Sequence, residues 1–126
     1  MGRKRTSRKT RLVAKSTIKV LLVDDSKVFL DLEERWLSKD PRLEIIGRAC
    51  SGQEALDQVG QLTPDVVVMD YRLPGLDGVQ ATAAIVSACP ETAVIALTAS
   101  ANARERGALI EAGAVACLTK DQPLDE

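Results

Sequence analysis

Residues 65–78 read Asp-Val-Val-Val-Met-Asp-Tyr-Arg-Leu-Pro-Gly-Leu-Asp-Gly. The first five form a short apolar run without polar alternation, the pattern of a strand covered on both faces of a parallel sheet. Pro74 and Gly75 then break the run, and Asp77-Gly78 leads into a helical pattern. Comparable runs occupy 18–23, 43–49, 93–97 and 114–118, the second more mixed, as suits an edge strand. Helix candidates lie between them. Residues 26–38 carry Phe29, Leu32 and Trp36 at spacings of three and four. Ser51-Gly-Gln-Glu54 reads as a capping box opening a helix through Val59, which Thr63-Pro64 stops before the next strand. A third candidate follows Gly78 with Val79, Ala83 and Val86 on one stripe, and a fourth spans 103–112, ended by Gly113. Alternating β and α units with right-handed crossovers predict a doubly wound α/β fold, whose functional groups gather beyond the carboxyl ends of the strands.

Those ends carry Asp24-Asp25-Ser26, Asp70, Thr98 and Thr119-Lys120. Three carboxylates without a counter-charge would raise one another's pKa, so the set implies a cation. Hard oxygen donors suit Mg²⁺, and no thiol or imidazole stands among these residues to favour a softer metal. Lys120 adds a positive charge and Thr98 a hydroxyl donor. A carboxylate attacking an anionic phosphoryl group is opposed by repulsion, which a metal and a lysine reduce. Such a nucleophile needs no general base. Each residue also has a plain structural role open to it: Asp24-Asp25 or Thr98 as helix caps, 70–75 as a turn, Lys120 as an exposed charge. Independent turn residues have no reason to assemble this set around one point.

The rest of the 126-residue chain narrows the field. Histidine is absent, which excludes serine–histidine triads, most zinc sites and a phosphohistidine carried by the chain itself. The cysteines, Cys50, Cys89 and Cys117, include no CxxC pair and suit a reducing cytoplasm. No apolar run is long enough to cross a bilayer or to serve as an export signal. The net charge of −1 hides a split: residues 1–17 hold seven basic side chains and no acid. This stretch reads as a disordered tail ahead of a domain at 18–126. Phosphatases of the haloacid dehalogenase type need a second Asp where Arg72 stands. A flavodoxin would need a Ser/Thr/Gly-rich turn where Asp24-Asp25 stands, and neither a P-loop nor a GxGxxG fingerprint is present.

The span from Ile18 to Lys120 resembles the receiver domain of bacterial two-component response regulators, and MDYRLPGLDG most resembles receivers of the NarL/FixJ type. The resemblance implies a flavodoxin-like five-stranded sheet in the order 2-1-3-4-5 with helices on both faces. It implies phosphorylation of Asp70 by the phosphohistidine of a sensor histidine kinase. Mg²⁺ would be bound by Asp25, Asp70 and the backbone carbonyl of Arg72, with Asp24 acting through a water. Lys120 would bridge Asp70 to the phosphoryl group, and Thr98 would bond it. Arg72 and Ser100 occupy positions that tune the phosphoryl lifetime in the family. By the same resemblance the protein is not an enzyme on other substrates, and it would form homodimers through its fourth-helix and fifth-strand face.

Two features depart from the family pattern. Most receivers place Tyr or Phe three residues before the lysine, where this chain has Cys117. The inward-turning ring of the usual switch is thus replaced by a small thiol. After Lys120 only six residues follow, where the family has a fifth helix, and Pro123-Leu-Asp-Glu reads as its first turn. A truncated final helix predicts partly uncovered apolar faces on strands one, three and five, and no direct DNA binding by this chain. The alternative function is an interaction module or phosphate sink without its own output.

Overall fold

The computed structural model describes residues 17–72, 77–98 and 103–119. The basic stretch, apart from Thr17, and Lys120 lie outside the described residues. Val20, Leu21, Leu22 and Val23 are at most 3% exposed, because their strand, β1 (Ile18–Val23), has a neighbour on each side. It pairs in parallel with β2 (Leu43–Ala49) and with β3 (Val66–Asp70). Beyond β3 lie β4 (Ala93–Thr98) and β5 (Ala116–Thr119), also parallel, completing the order β2-β1-β3-β4-β5. The doubly wound α/β fold is thus the observed one. The edge strand β2 slips by one residue against β1: Ile45 faces Val20, whereas Gly47 faces Leu21.

The two faces of the sheet are covered unequally. On one face Leu21, Val23, Val67, Met69, Val94 and Ala96 are buried beneath three helices. These are α2 (Gly52–Leu62), contributing Ala55 and Val59, α3 (Gly78–Ala88), contributing Ala81 and Ile85, and α4 (Ala103–Glu111), contributing Leu109. The opposite face is covered by α1 (Lys27–Leu37), whose Leu30 packs with Val20 and Leu22. There Val66, Val68 and Ile95 are only half-buried, as is all of β5. Partly uncovered apolar side chains therefore lie on β3 and β5, and on β1 at Ile18, which is 38% exposed.

Helix ends follow local chemistry. Ser26 caps α1 by accepting from the Phe29 N–H at 3.2 Å, and Ser51 caps α2 by accepting from the Glu54 N–H at 3.1 Å. Glu54 reaches back to the Cys50 N–H rather than to Ser51, and α2 runs on to Leu62, three residues past the expected end. Gly113, at φ +117°, ends α4 in a conformation that a Cβ would strain.

Two helix faces differ from expectation. On α1 the buried residues are Leu30 and Glu33, whereas Leu32 and Trp36 are 53% and 44% exposed. Leu30 packs on Val20 and Leu22 in this rotation, and Arg48 of β2 holds Asp31 at 2.9 Å and Glu34 at 3.1 Å in keeping with it. Trp36 instead lies under the Lys39 ammonium, 5.2 Å from its ring centroid. On α3 the inward face is Gly78, Ala81, Thr82 and Ile85, while Ala83 is exposed. Among the described residues no helix is long and apolar enough to cross a membrane.

Candidate functional site

Beyond Val23 the backbone stays tied to the sheet, the Asp24 N–H donating to the Ala49 carbonyl at 3.0 Å. Asp24 is 1% exposed, and its Oδ1 accepts from the Ser26 N–H at 2.9 Å. Because Ser26 is the cap, neither acid is used to cap α1. Asp70 is the last residue of β3, in register with Leu97 of β4, and is also buried. The adjacent strands β1 and β3 thus deliver acids to one edge of the sheet.

One carboxylate oxygen from each of Asp24, Asp25 and Asp70 lies within 4.8 Å of the others. At that distance each pair of ionised carboxylates repels by about 1 kcal/mol in water, and by about 3.5 kcal/mol at an effective dielectric of 20. The cost is met by a cation or by protonation. All donors are hard oxygens, and exposed Asp25 leaves the cluster open to water, so the set fits a hydrated divalent cation such as Mg²⁺.

A glycine sets the far wall. The Gly78 N–H donates to the Tyr71 carbonyl at 2.8 Å. A Cβ there would lie 2.7 Å from the Tyr71 Cα and carbonyl oxygen and 3.0 Å from the Asp70 carbonyl oxygen. Only glycine lets the start of α3 approach the backbone of the acidic strand end so closely. Asp77 and Gln80 close a capping box at the same turn. The Asp-Gly pair signals a helix start in the sequence, but this close approach was not foreseen.

Thr98 ends β4, is 1% exposed, and is in register with Thr119 of β5. It stands five residues before α4 begins and so does not cap that helix. Lys120, which directly follows Thr119, and Ser100 lie outside the described residues. The structure therefore gathers Asp24, Asp25 and Asp70, and it ends the next strand of the sheet in Thr98. The exposed Arg72 guanidinium reaches Glu105 of α4 at 4.0 Å, a contact absent from any motif reading. Cys117 is half-buried against the larger core, and burial pushes its thiol pKa up.

Comparisons with known proteins agree with this geometry. The protein-glutamate methylesterase/protein-glutamine glutaminase of group 1 operon from Pseudomonas putida is 41% identical over 106 residues, 82% of this chain and 28% of that protein. Response regulator GacA from Pseudomonas syringae pv. syringae is 37% identical over 109 residues, 86% of this chain and 51% of that one. The family model of the response regulator receiver domain matches residues 20–126. The chain belongs to this receiver family. Solved receiver domains superpose closely. That of the putative response regulator NarL from Mycobacterium tuberculosis has a TM-score of 0.82 at 32% identity, covering 85% of this chain and 86% of that one. That of Thermotoga maritima CheB has a TM-score of 0.77 at 30% identity, covering 84% and 80%. This receiver spans only about 28% of the length of the methylesterases it matches.

Proposed function

We propose that this receiver accepts a phosphoryl group on Asp70 from the phosphohistidine of a sensor histidine kinase. The observation that carries this reading is the cluster of Asp24, Asp25 and Asp70 at the ends of two adjacent strands. Asp24, Asp25, Asp70 and the Arg72 backbone carbonyl would hold Mg²⁺. Bound there, the ion neutralises charge on the acids and on the phosphoryl oxygens. The Asp70 carboxylate supplies the attacking oxygen, the bond from phosphorus to the donor breaks, and the donor leaves with its electron pair. The burial of Asp70 limits access of water to the acyl phosphate. Thr98 donates to a phosphoryl oxygen, and Lys120 provides the opposing positive charge.

The reading keeps residues 1–17 as a basic extension and 18–126 as the receiver. The chain promotes its own phosphorylation and dephosphorylation only. A homodimer through α4 and β5 belongs to the same reading. A second reading is supported by Cys117, which leaves β5 without an aromatic side chain: phosphorylation without output, as in a phosphate sink.

The test is incubation with acetyl phosphate and Mg²⁺, followed by intact and peptide mass measurement. One phosphoryl group on Asp70 is expected, with none on the Asp70→Asn variant or after chelation. Labelling that persists in Asp70→Asn would overturn the assignment. Restoring the ring with Cys117→Tyr separates the two outputs, since a gain of phosphorylation-dependent dimerisation favours the phosphate-sink reading of the native chain.

A further inference from the structure

Helix α4 is lightly held. Of its nine residues only Leu109 is fully buried, and Ile110 is 49% exposed. One further tie reaches it from the acidic site, the 4.0 Å pair between the Arg72 guanidinium and the Glu105 carboxylate. The two ends of this pair differ. Arg72 is 72% exposed, whereas Glu105 is 19% exposed with its other oxygen buried. Cys117 of β5 lies within the electrostatic reach of both Glu105 and Arg106. This one carboxylate therefore links the segment after β3 to helix α4, the helix that precedes β5 and its Cys117.

We infer that Glu105 is a positioning residue: in the unphosphorylated chain it holds the Arg72 guanidinium toward α4, and a phosphoryl group on Asp70 draws that guanidinium away. Arg72 is two residues from Asp70 in the chain, so the phosphoryl oxygens lie within the length of an arginine side chain. A phosphoryl group offers three acceptor oxygens and close to two negative charges, against one charge on Glu105. Charge-assisted bonds from guanidinium to phosphate oxygens are stronger than a single 4.0 Å pair whose guanidinium is exposed to solvent. The exchange frees α4 from the site without any ring having to turn inward. The inference rests on Asp70 being the phosphoacceptor.

A double-mutant cycle tests it. Beryllofluoride with Mg²⁺ is titrated against the native chain, Glu105→Gln, Arg72→Ala and the double variant, and amide exchange of α4 is followed by mass spectrometry. Glu105→Gln is expected to bind beryllofluoride about twofold to fivefold more tightly, the scale of an exposed ion pair, and to do so only while Arg72 is present. Exchange in α4 of the unliganded Glu105→Gln variant should rise toward that of the liganded native chain. Arg72→Ala approaches the same tie from the exposed side and should raise α4 exchange equally. Equal effects of Glu105→Gln in both Arg72 backgrounds, or α4 exchange that ignores beryllofluoride in the native chain, would overturn the inference alone. A native chain that neither binds beryllofluoride nor labels at Asp70 would overturn the Asp70 reading together with it.

Discussion

Strand β3 is bracketed by two aspartates whose surroundings differ completely. Asp65, just before the strand, is exposed and stitched to its neighbours. Its N–H donates to the Lys19 carbonyl at 2.9 Å, its Oδ2 accepts from the Lys19 N–H at 2.9 Å, and its carbonyl accepts from the Ala93 N–H at 3.0 Å. Asp70, at the other end, is buried beside two further acids. One backbone donor reaches the first carboxylate and water is open to the rest of it, so it stands in a solvated, singly bonded setting. The second has an oxygen of each of two further carboxylates within 4.8 Å of its own, and that repulsion is what a bound cation would relieve. Neighbours rather than residue type separate a structural acid from a chemical one.

The sharpest way to break this comparison is to neutralise each acid in turn. Asp70→Asn should abolish phosphoryl incorporation from acetyl phosphate, while Asp65→Asn should incorporate at the native rate. Removing like charge in Asp24→Asn or Asp25→Asn should leave the fold intact or slightly stabilised without Mg²⁺. In either variant the rise in melting temperature that Mg²⁺ gives the native chain should shrink or vanish, as read by calorimetry at fixed metal concentration. An unchanged metal response in both would separate the acid cluster from metal binding.

Between the two acids, β3 alternates across unequal faces. Met69 is fully buried beneath the three-helix face, and Val68 is half-buried on the face covered by α1. Met69→Ala should cost about 2–5 kcal/mol in urea unfolding, and Val68→Ala roughly 1 kcal/mol, because exposed surface loses little and leaves no enclosed cavity. Comparable costs would mean that the α1 face is closed as tightly as the other.

That asymmetry marks the limit of what the sequence shows. Strand positions and the acids at their ends were legible because buried parallel strands are nearly continuous apolar runs, and all five fell within two residues of the observed bounds. Helix faces were not. On α1 the spacing offers Phe29-Leu32-Trp36 as one stripe, while Leu30 and Leu37 lie on another, and periodicity does not say which one meets the sheet. The packing of Leu30 on Val20 and Leu22 decides it, with Arg48 holding Asp31 and Glu34, and all of these are contacts between residues well apart in the chain. Nothing in the sequence marks Glu105 for the same reason, since its partner Arg72 lies far from it in the chain. In the sequence Gly78 reads only as part of a helix start, because the backbone it touches is close only after β3 and α3 have packed.

Gly78→Ala sharpens the comparison at the Asp70 end without touching a carboxylate. A methyl group 2.7 Å from the Tyr71 backbone must push α3 and the strand end apart, an overpacking cost of about 1–3 kcal/mol. Phosphoryl incorporation should slow along with the loss of stability, because the displaced backbone carries both Asp70 and Arg72. A variant that is destabilised yet labels at the native rate would show that the acid cluster tolerates movement of its wall.

The smallest effect is expected at the opposite end. Asp65→Ala removes one hydrogen bond to the Lys19 N–H, a donor at an exposed edge that water can satisfy instead. The loss should be about 0.5–1 kcal/mol in urea unfolding, the lower part of the range for a single hydrogen bond, with no change in phosphoryl incorporation. Asp65→Asn retains an acceptor oxygen and should lose less still. The two backbone bonds made by residue 65 survive in both variants, so β1, β3 and β4 should stay in register. A marked fall in Asp70 labelling in Asp65→Ala would therefore mean that strain travels the length of β3, and the two acids would no longer be independent.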